Sequence, residues 1–291
     1  MRVRRRTVAL GTVGAALLAG TGGALALGDA MTRPALREAG DPPVELQASA
    51  VRIATSTGGF VAGWFAAGEP GRGAVLLLHG VRGSRHAMSA RALFLHRQGV
   101  ATLAIDLPGR ESPARRITFG ANESHGVAAA LAWMARRCPG ERIGAIGVSL
   151  GAASLVLAQP DPAPAAVVLE SMYPTIEEAV ANRLASHVGA PAAMLAPALL
   201  WQMPWRLGVT PAQLHPIDVL PSLRSPLLVA GGDADRHTTS AETRRLYDAA
   251  RGEPKSLWIV AGAAHVDLHA FARADYERRV GGFMQDALRR A

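Results

Sequence analysis

Ile143-Gly144-Ala145-Ile146-Gly147-Val148-Ser149-Leu150-Gly151 decides how this chain is read. A short apolar run ends in Gly-x-Ser-x-Gly, and the small-residue, apolar segment from Ala152 to Ala158 follows at once. That order predicts strand, sharp turn, helix, with Ser149 on the corner and its hydroxyl projecting into a cleft. Glycine suits positions 147 and 151 because a Cβ at either flank would collide with the neighbouring strand or helix. Three fixed positions recur by chance in a chain rich in Ala and Gly, so the flanking strand and helix patterns carry the reading.

Working outward, the 291 residues are 49% hydrophobic and 19% charged, which fits one large α/β domain with a buried core and excludes a disordered chain. A single cysteine, Cys138, rules out an intrachain disulfide or a cysteine metal cage. Met1 to Arg6 carries four arginines, and an apolar run from Thr7 to Gly28 follows with no acid before Asp29. This is the pattern of an export signal, with Ala24-Leu25-Ala26 as a small-x-small cleavage site. The run is also about as long as a membrane span, so an uncleaved anchor competes. Both readings leave residues 1–30 outside the fold and deliver the domain outside, either free in the periplasm or medium or held at the membrane. Residues 31–48, with Pro34, Pro42 and Pro43, read as a linker. The formal charge of +8 falls to +4 once the four leader arginines are set aside, and no basic run interleaves with aromatics. Nucleic-acid binding has little support.

From residue 49 onward, strands are expected at Val51–Thr55, Phe60–Ala66, Ala74–His79, Val100–Leu107, Arg142–Val148, Ala165–Leu169, Leu227–Ala230 and Leu257–Val260. Helices are expected at Ser89–Gln98, Glu123–Arg137, Ser240–Ala250 and Tyr276–Arg290, besides the one after Ser149. The alternation predicts a mostly parallel α/β sheet covered by helices on both faces. Between about 172 and 221 there is no strand signal, only Ala-, Leu-, Met- and Trp-rich helical pieces cut by prolines. This stretch reads as a helical cap over the carboxyl end of the sheet.

A serine hydroxyl needs a base to act as a nucleophile at neutral pH. His265, in Val260-Ala-Gly-Ala-Ala-His265 just past the last strand, is the best placed, since a parallel sheet gathers its strand ends on one edge. His86, His96, His187 and His215 fall on expected helical or loop surfaces, His125 opens a helix without an evident partner, and His79 is suited to bracing backbone. The base in turn needs a carboxylate on its far side. The loop Gly231-Gly-Asp233-Ala-Asp235 offers two, of which Asp235 can reach across to a neighbouring loop while Asp233 would cap its own turn; Glu170 is a third candidate. Oxyanion donors are expected at the backbone N–H of Leu150 and of Val81, the latter in His79-Gly80-Val81-Arg82-Gly83-Ser84.

The order Ser149, Asp235, His265, with His79-Gly80 on an earlier strand, resembles the α/β-hydrolase superfamily over about Val51 to Ala291. Asp106-Leu-Pro-Gly-Arg-Glu-Ser112 also resembles that family's Asp-x-x-Gly-x-G-x-Ser loop, one residue short. The resemblance implies serine-dependent ester cleavage, with thioester, amide and acyl-transfer variants, and no cofactor. A serine nucleophile excludes the branches that use aspartate. His265 and His269 are spaced as helical metal ligands, but no Glu base accompanies them, so no metal is expected. Met194, Leu195, Leu199, Trp201, Met203 and Trp205 in the cap point to an apolar pocket for a small-molecule ester. Competing readings are an acyltransferase on the same residues and a non-catalytic envelope binding protein.

Overall fold

The computed structural model describes residues 20–34, 40–108 and 116–289. Its apolar runs pair into one eight-stranded sheet: β1 (Ser49–Ala54), β2 (Phe60–Ala66), β3 (Ala74–Leu78), β4 (Ala101–Ile105), β5 (Ile143–Val148), β6 (Ala166–Glu170), β7 (Leu227–Gly232) and β8 (Lys255–Val260). Their order is β1-β2-β4-β3-β5-β6-β7-β8. β1 and β2 are antiparallel to each other, β2 is antiparallel to β4, and every later pairing is parallel. The hairpin therefore forms one edge, and the six parallel strands gather their carboxyl ends on one rim.

Strands buried on both faces read as unbroken apolar runs, and β3, β4 and β6 are buried throughout. Alternate residues feed two cores. Leu76, Leu78, Leu103 and Val167 pack with Val127, Ala130 and Met134 of α3 (Ala121–Arg137) and with α4 (Leu150–Leu157). Val75, Leu77, Ala104 and Val168 pack with Leu95 of α2 (Ser89–His96) and with Tyr276, Val280 and Met284 of α11 (Arg273–Leu288). α9 (Ser240–Ala249) starts on a capping box, in which the Thr239 hydroxyl accepts from the Glu242 N–H while the Glu242 carboxylate accepts from the Thr239 N–H.

The interval after β6 carries α5 (Ile176–Val188), α6 (Ala196–Leu200), α7 (Met203–Leu207) and α8 (Pro216–Val219), joined by 3-10 turns. Thr175 caps α5 by accepting from the Glu178 N–H. α5, α6 and α7 form a third apolar cluster, including Ile176, Val180, Leu184, Leu199 and Met203, whereas Ile217 and Val219 of α8 pack against the first core. Within the stretch 172–221 the helical middle packs on its own cluster, while Met172, Tyr173 and Leu220 at its two ends belong to the first core.

Residues 20–32 form a helix, α1. The Gln202 amide donates to the Ala24 carbonyl, Arg206 donates to the Leu25 carbonyl, and Arg206 and Arg116 both pair with Asp29. The Ile117 N–H donates to the carbonyl of buried Thr32. The packed part of the chain therefore reaches back into the apolar N-terminal run, with cap side chains bonding to carbonyls in the middle of α1. Residues 1–19 lie outside the described residues, and among the described ones no helix is long and apolar enough to cross a membrane.

One polar network crosses the second core. Arg91 on α2 and Glu170 at the end of β6 are each 1% exposed and pair at 2.6 Å. The Tyr276 hydroxyl donates to Glu170 at 2.5 Å and accepts from Arg91 at 3.0 Å. Removing one partner of such a pair leaves a buried charge uncompensated. Arg91→Met should therefore destabilise the domain by about 3–5 kcal/mol, read as a lower urea midpoint at unchanged slope.

Candidate active site

Ser149 sits between β5 and α4 with φ 50° and ψ −109°, a conformation that L-residues adopt only under strain. Its N–H donates to the Glu170 carbonyl at 2.7 Å and its carbonyl accepts from Ala153 at 3.0 Å, so the corner is tied to the next strand and to its own helix. The flanking glycines are required by contact. A Cβ on Gly147 would lie 2.6 Å from the Ala152 backbone, and one on Gly151 would lie 2.5 Å from the Leu78 carbonyl oxygen. Helix and strand approach so closely here that neither position accepts a side chain.

His265 follows β8, and its Nδ1 lies 2.7 Å from Oδ2 of Asp235, in the loop after β7. Asp235 is 4% exposed. Burial alone would raise its pKa, but the bond and charge of His265, with the N–H and hydroxyl of Thr238, outweigh that and hold the carboxyl below its ordinary value. The His237 N–H adds a further bond at 2.7 Å. An ionised carboxylate only accepts, so Nδ1 of His265 carries a proton and the other ring nitrogen of the neutral imidazole is basic. The two other acids are engaged elsewhere: Asp233 accepts from the Gly262 N–H at 2.6 Å, bridging to the loop after β8 where it was expected to cap its own turn, and Glu170 belongs to the Arg91 network.

The loop carrying His265 is itself anchored. Asp267 accepts from the N–H groups of His269 and Ala270, which starts α10 (Leu268–Phe271), and pairs with Arg91 at 2.8 Å. His265 lies before that helix and His269 within it, bonded to Glu277, so the two do not share a helix face. Donor atoms of Asp235, His237 and His265 do lie within 4.8 Å of one another. However, the Asp235–His265 bond takes two of them, and His237 Nδ1 faces the Arg183 guanidinium at 3.1 Å. An arginine always donates, so His237 is the neutral acceptor, and burial followed by the neighbouring Arg183 and His265 pushes its pKa down to about 4. This set holds protons in place and presents a cation, which suits no metal ion.

Beyond β3, His79 braces its own loop as expected. Its Nε2 accepts from the Leu107 N–H at 3.0 Å, which leaves Nδ1 as the donor to the Gly80 carbonyl at 2.7 Å. Gly80 lies against the Ser149 corner, where a Cβ would come 3.6 Å from that of Ser149. The Asp106 side chain accepts from the Arg85 N–H and guanidinium, while residues 109–115 of the expected Asp106–Ser112 loop lie outside the described residues.

Ser149, His265, Val81 and Leu150 all line one cavity of about 750 Å³, with no hydrogen bond between Ser149 and His265 in this structure. Its roof is the α5 stripe of Ile176, Val180 and Leu184, and Leu27 and Met31 of α1 form another wall. The expected pocket residues lie elsewhere: Leu199 and Met203 are buried in the cap's own core, whereas Met194, Leu195, Trp201 and Trp205 are exposed, Trp201 by 68%. α6 and α7 turn their apolar faces on each other and on α1, so they never reach the serine. Sequence reasoning also missed Arg183, His187 and His237 on the cavity wall. The rings of His187 and His237 stack at 5.6 Å, and His237 lies 5.1 Å from the ring of His265.

No family model matches the chain. An uncharacterized protein of Mycobacterium tuberculosis is 30% identical over 245 residues, which span 82% of this chain and 77% of that protein. Among solved structures, the Pyrococcus furiosus esterase Pf2001 superposes with a TM-score of 0.73 at 21% identity, covering 89% of this chain and 98% of that one. The α/β hydrolase GrgF from Penicillium (TM-score 0.64, 17% identity, 83% and 99% covered) and the dienelactone hydrolase of Anabaena variabilis (TM-score 0.60, 20% identity, 84% and 99% covered) share the same architecture. With its hairpin-edged parallel sheet and its serine corner after β5, the chain has the α/β-hydrolase fold, and it belongs to the same family as the Mycobacterium tuberculosis protein.

Proposed function

We propose that the protein is a serine hydrolase that cleaves carboxylic esters through an acyl-enzyme. The observation that carries this is the 2.7 Å bond between buried Asp235 and His265 on the wall of the cavity that also holds strained Ser149. The Ser149 oxygen attacks the ester carbonyl carbon while its proton passes to Nε2 of His265, and Asp235 balances the imidazolium that results. The carbonyl oxygen becomes an oxyanion, held by the N–H groups of Val81 and Leu150. Leu150 is the first residue of α4, so its N–H has no acceptor within the helix. The tetrahedral adduct collapses, the C–O bond to the alcohol breaks, and His265 returns the proton to the leaving oxygen. Water then attacks the acyl carbon with His265 again as base, releasing the acid and restoring Ser149. Apolar side chains of α5 and α1 favour a substrate with an apolar portion. The basic start and apolar run of residues 1–28 support delivery across a membrane, with the domain released or held there.

A fluorophosphonate probe should label the protein, and Ser149→Ala should abolish the labelling; undiminished labelling of the variant overturns the assignment. Asp235→Asn should leave the fold intact yet lower kcat on a p-nitrophenyl ester by about 10⁴-fold, because an amide imposes the wrong imidazole tautomer. A loss below about ten-fold would place the supporting carboxylate elsewhere.

A further inference from the structure

Two guanidiniums line the cavity without a carboxylate. Arg82 directly follows Val81, with φ 57°, and its only hydrogen bond among the described residues goes to the Ala30 carbonyl of α1, at 2.6 Å. Arg183 reaches from α5 to Nδ1 of His237. The acids around Arg183 are all engaged with other groups. Glu178 pairs with Arg245, Glu177 with His215, and Glu242 accepts from Asn182 and from the Thr239 backbone. Asp267 on the same wall is held by Arg91 and by two backbone N–H groups. Burial and the like charge of Arg82 both make Arg183 harder to keep charged, against the pull of Asp235.

Held in a cavity with apolar walls, two guanidiniums without an ion-pair partner among the described residues are donors in wait of an acceptor. We propose that the substrate carries an anionic group, a carboxylate or a phosphate, close to its scissile ester, and that Arg82 and Arg183 bind it. This rests on the serine-hydrolase reading and specifies its substrate class. The spacer between anion and ester is short, because Arg82 adjoins the residue that supplies an oxyanion N–H, and His237, which Arg183 contacts, lies ring to ring with His265.

The full chain is assayed on two matched pairs: mono-p-nitrophenyl glutarate against p-nitrophenyl valerate, and butanoyl glycerol phosphate against butanoyl glycerol. The anionic member of at least one pair should be turned over with a kcat/KM about ten-fold higher or more, the size expected of charge-assisted hydrogen bonds. Which pair responds identifies the anion as carboxylate or phosphate. In Arg183→Gln that ratio should fall about ten-fold, and Arg183→Lys should recover part of it. Arg82→Gln serves the same purpose if the first variant does not fold. Equal turnover within both pairs, or a ratio that survives both glutamine substitutions, overturns the proposal while leaving the hydrolase reading in place. Absence of all turnover and of fluorophosphonate labelling sinks the hydrolase reading instead. The subsite is then judged by calorimetry with monomethyl glutarate against dimethyl glutarate: equal binding refutes it, and preference for the acid that is lost in Arg183→Gln supports it.

Discussion

The close approach of α4 to β3 and β5 is the constraint on which the site depends. Gly151 brings helix backbone against the Leu78 carbonyl, and Gly147 lets the strand pass under Ala152. Only at that separation does the chain between them turn so sharply that Ser149 takes positive φ. The strain is local, and its support is distributed: the Ser149 N–H is held by β6, and the apolar faces of β3, β5 and α4 share one core. A residue in an unfavourable conformation persists when the packing around it over-determines the backbone.

The His265 side of the cavity is positioned by charge. Glu170, Arg91 and Asp267 form a chain from the end of β6, through α2, to the loop that carries His265. Asp267 stands two residues past His265 and caps α10, so the buried guanidinium fixes where that loop begins its helix. Glu170 thus does serve the candidate site, though through the Arg91 ion pair and the backbone carbonyl that holds Ser149. Both flanks of the cavity meet at this one residue, whose side chain anchors the histidine loop and whose main chain anchors the serine.

What could be read from the sequence follows the same division. The eight strands were legible because burial on both faces demands continuous apolar runs, which few other contexts impose. Ser149, Asp235 and His265 were legible because their neighbours in sequence, a glycine-flanked corner and two strand-end loops, declare where they fall on the rim. The docking of α1 was not, since its contacts include the backbone carbonyls of Ala24 and Leu25, and a carbonyl has no residue-type signature. Arg183 and His237 were equally hidden. They lie 54 positions apart in sequence, and neither residue type in its own stretch announces the other. The Trp- and Met-rich part of the cap misled for a related reason: apolar content shows that a helix packs, without showing against what.

Rim and roof therefore respond differently to change. The groups on the rim are bonded to backbone, to buried ions or to glycine-only contacts, so most substitutions there break the fold or the chemistry. The roof is one helical stripe, Ile176, Val180 and Leu184, whose residues face the cavity while also packing in the cap's own cluster. A change of shape on that stripe is absorbed within a cluster that shares few side chains with the two cores of the sheet, and so the walls of the cavity can vary while Ser149 and His265 stay in register. Arg183 lies one residue before Leu184 on this helix, which sets a charged group on the variable wall of the cavity that Ser149 and His265 also line. In this architecture the cap shapes the roof of the cavity, and the sheet fixes where Ser149 and His265 stand.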